Sequence, residues 1–281
     1  MTLSHTFSLI ELLTIVFLLT IVITFIFSAI PQSNKNVNIS GASIGIVFSW
    51  FGTLILGTPD LVPRFNTNEI IILTIFFLFL GLFLDLNPNF NKIFIWIVLL
   101  FAGVSAIIWM LNKVNFYSIF FLVVWITLQI KLQRQSMNDN KLNSPTELII
   151  IFTTIGLGLI GWTNNILVNR DLAFGLSSIY LAFYLCSKIR PNISTSYCTI
   201  LIGGGALFII IVRLIEQYPS LSPSIILLGF ILFINQNITY LSKKYKVCNR
   251  LPYLISFTIL ATIPISLSVL TAIIASKHTI G

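Results

Sequence analysis

In a chain of 281 residues that is 57% apolar and only 9% charged, the ionisable side chains found inside apolar runs are the first candidates for chemistry. A charge carried into hydrocarbon is costly, so such residues are rare and tend to be paired or functional. Glu11, Asp85, Asp171 and Arg213 lie within or at the ends of apolar runs, with Lys92 just beyond Asp85. Glu11 and Arg213 stand near a membrane face, where a long side chain reaches the headgroups. Asp85 belongs to Gly81-Leu-Phe-Leu-Asp85-Leu-Asn87-Pro88-Asn-Phe-Asn-Lys92. A carboxylate, side-chain amides and a lysine at a membrane surface are groups able to hold a magnesium ion and a phosphate. The same residue types also make an ordinary turn.

Other chemistries lack their parts. The histidines are His5 and His278, near the two ends, so a Ser-His-Asp constellation needs the termini to fold back. H-E-x-x-H, Walker A and a strand-linked G-x-G-x-x-G are absent. Cys186, Cys198 and Cys248 form no C-x-x-C pair and point to neither a disulfide framework nor a zinc site.

The elements that must position these residues are apolar runs, at roughly 7–30, 42–57, 69–86, 93–111, 116–131, 147–164, 171–187, 197–213, 223–242 and 253–276. They lack the period-two alternation of barrel strands, and lipid cannot satisfy free backbone groups, so each is expected to be a helix. The expected fold class is therefore all-α, a polytopic transmembrane helix bundle of about ten spans, in one domain over 1–281. Spans 42–57 and 116–131 are short for a perpendicular crossing. The polar stretch Leu132 to Thr146 is expected to be a connector, and the glycines Gly203-Gly204-Gly205, Gly156, Gly158 and Gly161 are expected to allow close helix packing.

The formal charge of +8 resides in short loops rather than on one face, which points away from nucleic acid and towards anionic lipid headgroups and phosphorylated substrates. Loops after the odd spans hold eleven Lys and Arg and the other side holds five. The positive-inside rule then puts the odd loops in the cytoplasm and both termini outside.

Four segments together resemble the polyprenyl-phosphate N-acetylhexosamine-1-phosphate transferases, a family that includes the phospho-N-acetylmuramoyl-pentapeptide transferases. Asn38-Ile-Ser-Gly41-Ala-Ser-Ile-Gly45-Ile-Val-Phe is similar to P-R-x-G-G-x-x-I-x-x, and Gly81 to Lys92 to G-x-x-D-D-x-x-x-L-x-x-x-x-K. Tyr197 to Phe208 is similar to I-F-M-G-D-x-G-S-L-F, and Leu227 through Lys244 to L-L-G-x-P-I-F-D-T-x-x-x-x-x-R-R. The resemblance implies transfer of a sugar 1-phosphate from a UDP-sugar to polyprenyl phosphate at the cytoplasmic face of a bacterial inner membrane, with magnesium bridging the diphosphate.

What the resemblance implies for the site is Asp85 and Asn87 on magnesium, Asp85 and Asp139 as the catalytic carboxylates, and Lys92, Lys243 and Lys244 on phosphates. The sequence departs from the family where the paired aspartates become Leu84-Asp85, where Gly203 and Asn235 stand for two further aspartates, and where the histidine cluster after the ninth span becomes lysines and Arg250. One positioned acid or base is worth about 10²–10⁴-fold in rate, so such losses imply a slow or inactive relative. A non-catalytic membrane protein that binds a lipid phosphate or a partner protein is the alternative. A small-solute transporter fits less well, because few polar residues lie deep in the spans.

Overall fold

The structure is a computed structural model, and it describes residues 8–30, 39–57, 69–87, 89–110, 116–137, 145–190, 192–238 and 253–279. Eight helical segments are long and apolar enough to cross a bilayer, and among the described residues there is no strand. The protein is an all-α integral membrane protein.

The helices are α1 (Leu9–Ala29), α2 (Ala42–Leu56), α3 (Glu69–Leu86), α4 (Lys92–Met110), α5 (Phe116–Met137), α6 (Pro145–Thr163), α7 (Leu167–Ile189), α8 (Tyr197–Gln217), α9 (Ser222–Leu228) and α10 (Tyr253–Thr279). Local chemistry fixes several ends. Ser8 and Glu11 form a reciprocal capping box at α1, and Ser196 and Thr199 form one at α8. Between α6 and α7, Asn165 takes a left-handed backbone (φ 57°). That conformation lets the Ile166 N–H return to the Gly161 carbonyl at 2.8 Å, which closes the hairpin.

Two expectations from the sequence need correction. The polar connector is shorter than Leu132 to Thr146, because α5 continues through Met137 and α6 begins at Pro145. Gln, Lys, Leu and Arg are good helix formers, so propensity carries α5 on after its hydropathy has fallen. The ninth span is also not one α-helix. It is assembled over 219–238 from a 3₁₀ turn (Pro219–Leu221), α9, a second 3₁₀ stretch (Gly229–Phe233) and a last helical turn at 234–238. Glycine is a poor helix residue, and the tighter winding sets in at Gly229.

The most deeply buried span is α8, and its three glycines explain how it fits. Where lipid surrounds the bundle, helices associate through close packing rather than through expulsion of water. A Cβ at Gly203 would come within 2.1 Å of the Tyr180 hydroxyl, one at Gly204 within 2.7 Å of Gln129 Nε2, and one at Gly205 within 2.3 Å of the Phe77 ring. Consecutive glycines thus admit α7, α5 and α3. Beside them Trp125 stacks on Phe77 with ring centroids 5.4 Å apart, and its Nε1–H donates to the Leu99 carbonyl at 2.9 Å. The outward faces are the reverse of a soluble protein's: Ile10, Leu18, Val22 and Ile26 of α1 and Ile259, Ile263 and Leu270 of α10 are all exposed.

Tertiary hydrogen bonds show that one end of the bundle gathers the basic residues. Asp85, at the end of α3, binds the start of α8. Glu147 of α6 binds Thr195, just before α8. Thr146 reaches Leu132 near the end of α5, and Arg190, at the end of α7, donates to Ser28 of α1 at 3.0 Å. Lys92, Lys131, Arg134, Lys188 and Arg190 therefore share one end. The Tyr253 hydroxyl donates to Asn235 at 2.9 Å, so α10 also starts at this end and, like α1, has its other terminus at the opposite one.

Candidate functional site

Three of the four segments singled out in the sequence meet at the basic end. Gly41, just before α2, has Thr199 and Ser196 against it, so that a Cβ there would lie 2.5 Å from Thr199 Oγ1. One turn on, a Cβ at Gly45 would meet Ile202 at 2.8 Å and Leu78 at 3.0 Å. Gly81 of α3 touches the α8 backbone itself, with the Cys198 Cα 2.5 Å from a Cβ placed there. No side chain fits between α3 and α8 at that level.

That close approach delivers Asp85 to the first turn of α8. Its Oδ1 accepts from the Tyr197 N–H at 2.9 Å and its Oδ2 from the Cys198 N–H at 3.0 Å, while the residue is only 7% exposed. The first N–H groups of a helix have no partner within the helix, and their positive end favours an anion. Asp85 is thus a cap supplied by another helix. It joins α3 to α8 and satisfies two donors that lipid could not.

A second carboxylate, one the sequence did not mark, supports the same segment from α6. Glu147 is fully buried, and Thr195 Oγ1 donates to its Oε1, while its Oε2 has no hydrogen-bond partner. Lys188 of α7 supplies positive charge nearby. Tyr180 donates to the Thr199 carbonyl at 2.5 Å. In the sequence Glu147 reads as an ordinary first-turn acid of α6. Its burial depends on where 193–196 folds back, which no local pattern reports.

The remaining candidates fall elsewhere. Asn87 is exposed and ends α3, its Nδ2 donating to the Phe83 carbonyl at 2.9 Å. Lys92 opens α4 and is exposed. Asp139, Lys243 and Lys244 lie outside the described residues. Of the expected magnesium set, each Asp85 oxygen accepts one amide N–H, and the Asn87 Nδ2 is turned to its own helix. No group of three or more His, Cys, Asp or Glu suited to a metal lies among the described residues.

The other feature able to bind something is a cavity of about 230 Å³ between α5, α6, α8 and the ninth span. One water needs only about 10–15 Å³ on this measure. The lining is almost wholly hydrocarbon, from Phe121 and Leu128 of α5 to Leu207 and Ile211 of α8 and Ile225 and Leu232 of the ninth span. Phe120, Val123 and Ile226 line it and are exposed on the lipid-facing surface, so it opens sideways into the bilayer. At its basic end stands Lys131, whose Nζ lies 4.2 Å from the Phe233 ring centroid, next to the lining residue Leu232. The broken ninth span makes this space, since Gly229 lines the cavity where the 3₁₀ winding begins.

Compared with known proteins, the chain matches no family model, and no curated protein matches it.

Proposed function

We propose that this chain is a membrane protein that binds a lipid composed of a long hydrocarbon tail and an anionic, phosphate-bearing headgroup. The tail occupies the cavity between α5 and the ninth span, and the headgroup pairs with Lys131 at the basic end, which on this reading faces the cytoplasm. The single observation that carries the reading is the pairing of a laterally open, almost wholly apolar cavity with a lysine at one end. A lysine at the headgroup level attracts an anionic lipid with about 1 kcal/mol, while a tail that enters from the bilayer leaves hydrocarbon rather than water and is held by close packing against the cavity wall.

The test is lipid retention by the purified full chain. Native mass spectrometry in detergent is expected to show one bound anionic lipid per chain, and Val123→Trp, which fills the mouth of the cavity from an exposed position, is expected to remove it. Loss of lipid from wild-type protein at the same rate as from the tryptophan variant would end the proposal.

A second reading is transfer of a sugar 1-phosphate to polyprenyl phosphate. It is favoured by the meeting of three motif-bearing segments at the basic end, where Gly41, Gly81 and Cys198 are in contact. If magnesium takes part, Asp139 and the lysines after the ninth span must complete what Asp85 and Asn87 do not. The measurement is magnesium-dependent release of UMP from UDP-N-acetylhexosamines in the presence of polyprenyl phosphate. Release no greater than that of Asp85→Ala would leave the protein as a lipid binder without turnover.

A further inference from the structure

The ninth span changes its winding where it borders the cavity. Over Gly229–Phe233 it runs as a 3₁₀ stretch, although Phe, Ile and Leu are all tolerated in α-helices and 3₁₀ hydrogen bonds have the poorer geometry. The two windings meet at Gly229, whose N–H reaches both the Ile225 carbonyl, its α partner, and the Ile226 carbonyl, its 3₁₀ partner. At the other end the Ile234 N–H bonds to its 3₁₀ partner, Ile231. Two contacts from neighbouring helices hold the stretch in this form. Lys131 of α5 places its Nζ 4.2 Å from the Phe233 ring centroid, and the Tyr253 hydroxyl of α10 donates to Asn235 at 2.9 Å. The start of the span is fixed to α10 separately, by the Thr271 hydroxyl donating to Ser224 at 2.9 Å.

Helix geometry says what the alternative winding would do. A 3₁₀-helix turns about 120° and rises about 2.0 Å per residue, whereas an α-helix turns about 100° and rises about 1.5 Å. Three residues complete one 3₁₀ turn, so Gly229 and Leu232 stand in line, and both border the cavity. Phe233, one residue on, is turned about 120° from that line and rests on Lys131. Wound as an α-helix from Gly229, the same residue would stand about 40° from the Gly229 direction and about 2 Å nearer to Gly229 along the axis. Its ring would then point into the cavity, beside a glycine with nothing within 4 Å of a Cβ.

We infer that 229–233 is a winding switch that plugs and unplugs the cavity: in the 3₁₀ form Phe233 rests on Lys131 and the cavity is open, and in the α form the Phe233 ring fills it. A tail in the cavity excludes the ring, so the ligand binds the 3₁₀ form alone and shifts the population toward it. Without a tail, α winding gains better hydrogen-bond geometry and the ring packs the space. This rests on the lipid-binding reading and adds to it how the site opens and closes.

The test uses Tyr253, which does not line the cavity, and dioleoyl phosphatidylglycerol as the probe lipid, bound to the purified full chain and followed by native mass spectrometry. Tyr253→Phe keeps the ring and removes the hydroxyl that holds Asn235, so it favours the α form. It is expected to weaken the lipid about threefold, the worth of one hydrogen bond in a membrane. In Phe233→Ala, which has no ring to enter the cavity, the same Tyr253→Phe change is expected to have no effect on binding. A direct readout is fluorine NMR of trifluoromethyl-phenylalanine placed at 233, whose resonance is expected to shift when the lipid is added. An equal effect of Tyr253→Phe with and without the Phe233 ring, no effect in either background, or a fluorine resonance that lipid leaves unmoved overturns the switch while the binding reading stands. Failure of the lipid to bind, or binding that Val123→Trp does not reduce, overturns the underlying reading and the switch with it.

Discussion

Replacing Asp85 by asparagine separates a structural carboxylate from a catalytic one. The side chain is nearly isosteric, but only one of its two polar atoms can accept, so either the Tyr197 or the Cys198 N–H meets an NH₂ group. A buried donor left without an acceptor costs about 1–3 kcal/mol, and loss of the negative charge at the first turn of α8 removes a further ~0.3–1 kcal/mol. Relief from burying a charge offsets part of this. The net destabilisation expected is about 2 kcal/mol, and at about 2–4 °C per kcal/mol for a chain of this size the thermal midpoint falls by about 4–8 °C. The assay is thermal unfolding of purified protein in detergent, with Asp85→Glu as a companion. The longer acid keeps its charge but does not fit against a contact as close as Gly81 on Cys198, so it also loses stability. An Asp85→Asn protein as stable as wild type would refute the cap. If it were also inactive in UMP release, the carboxylate would belong to chemistry instead.

Gly81→Ala is expected to cost about 3 kcal/mol, since its Cβ would strike the Cys198 backbone, which cannot rotate away, and would push α8 from Asp85 as well. Gly229→Ala is the control: nothing lies within 4 Å of a Cβ there, and the substitution is expected to stabilise by up to about 0.5–1 kcal/mol. Urea or SDS titration of the pair checks the contrast, which fails if the two variants move together. Trp125→Phe keeps the stack on Phe77 but leaves the Leu99 carbonyl without the indole donor, and should lower stability by about 1–2 kcal/mol in the same titration.

The existence of the helices was legible from hydropathy alone because the bilayer leaves the backbone few options. Glycines at 156, 158, 161 and 203–205 were legible as packing positions, and each now has a named neighbour: Leu228, Phe174, Arg170, Tyr180, Gln129 and Phe77. The ends of elements were less legible. The end of α5 is polar, yet it stays helical with Gln129 and Gln133 buried, because burial there is decided by α8 and not by α5's own sequence. The sequence marked Asp85 as a costly charge, and that was sound. What it could not show is that the partner is a pair of backbone amides 112 and 113 residues away. Glu147 was missed for the same reason: a first-turn acid looks ordinary until the neighbouring helices are placed.

Gly203 shows how packing and polarity divide the bundle between them. In the resembled motif that position carries an aspartate, and here a Cβ would already meet the Tyr180 hydroxyl and the Ile150 side chain. No carboxylate can occupy it while α7 and α6 pack on α8 as they do. Tyr180 fills the place and donates to the Thr199 carbonyl of the same helix, so the polar demand of this part of α8 is met by a hydroxyl from α7. The demand of the first turn is met by Asp85 from α3, and that of the approach to it by Glu147 from α6. Three helices thus each supply one polar group to α8, all within the turns next to the basic end. The rest of α8 toward the opposite face, where Leu207 and Ile211 border the cavity, is left apolar for hydrocarbon.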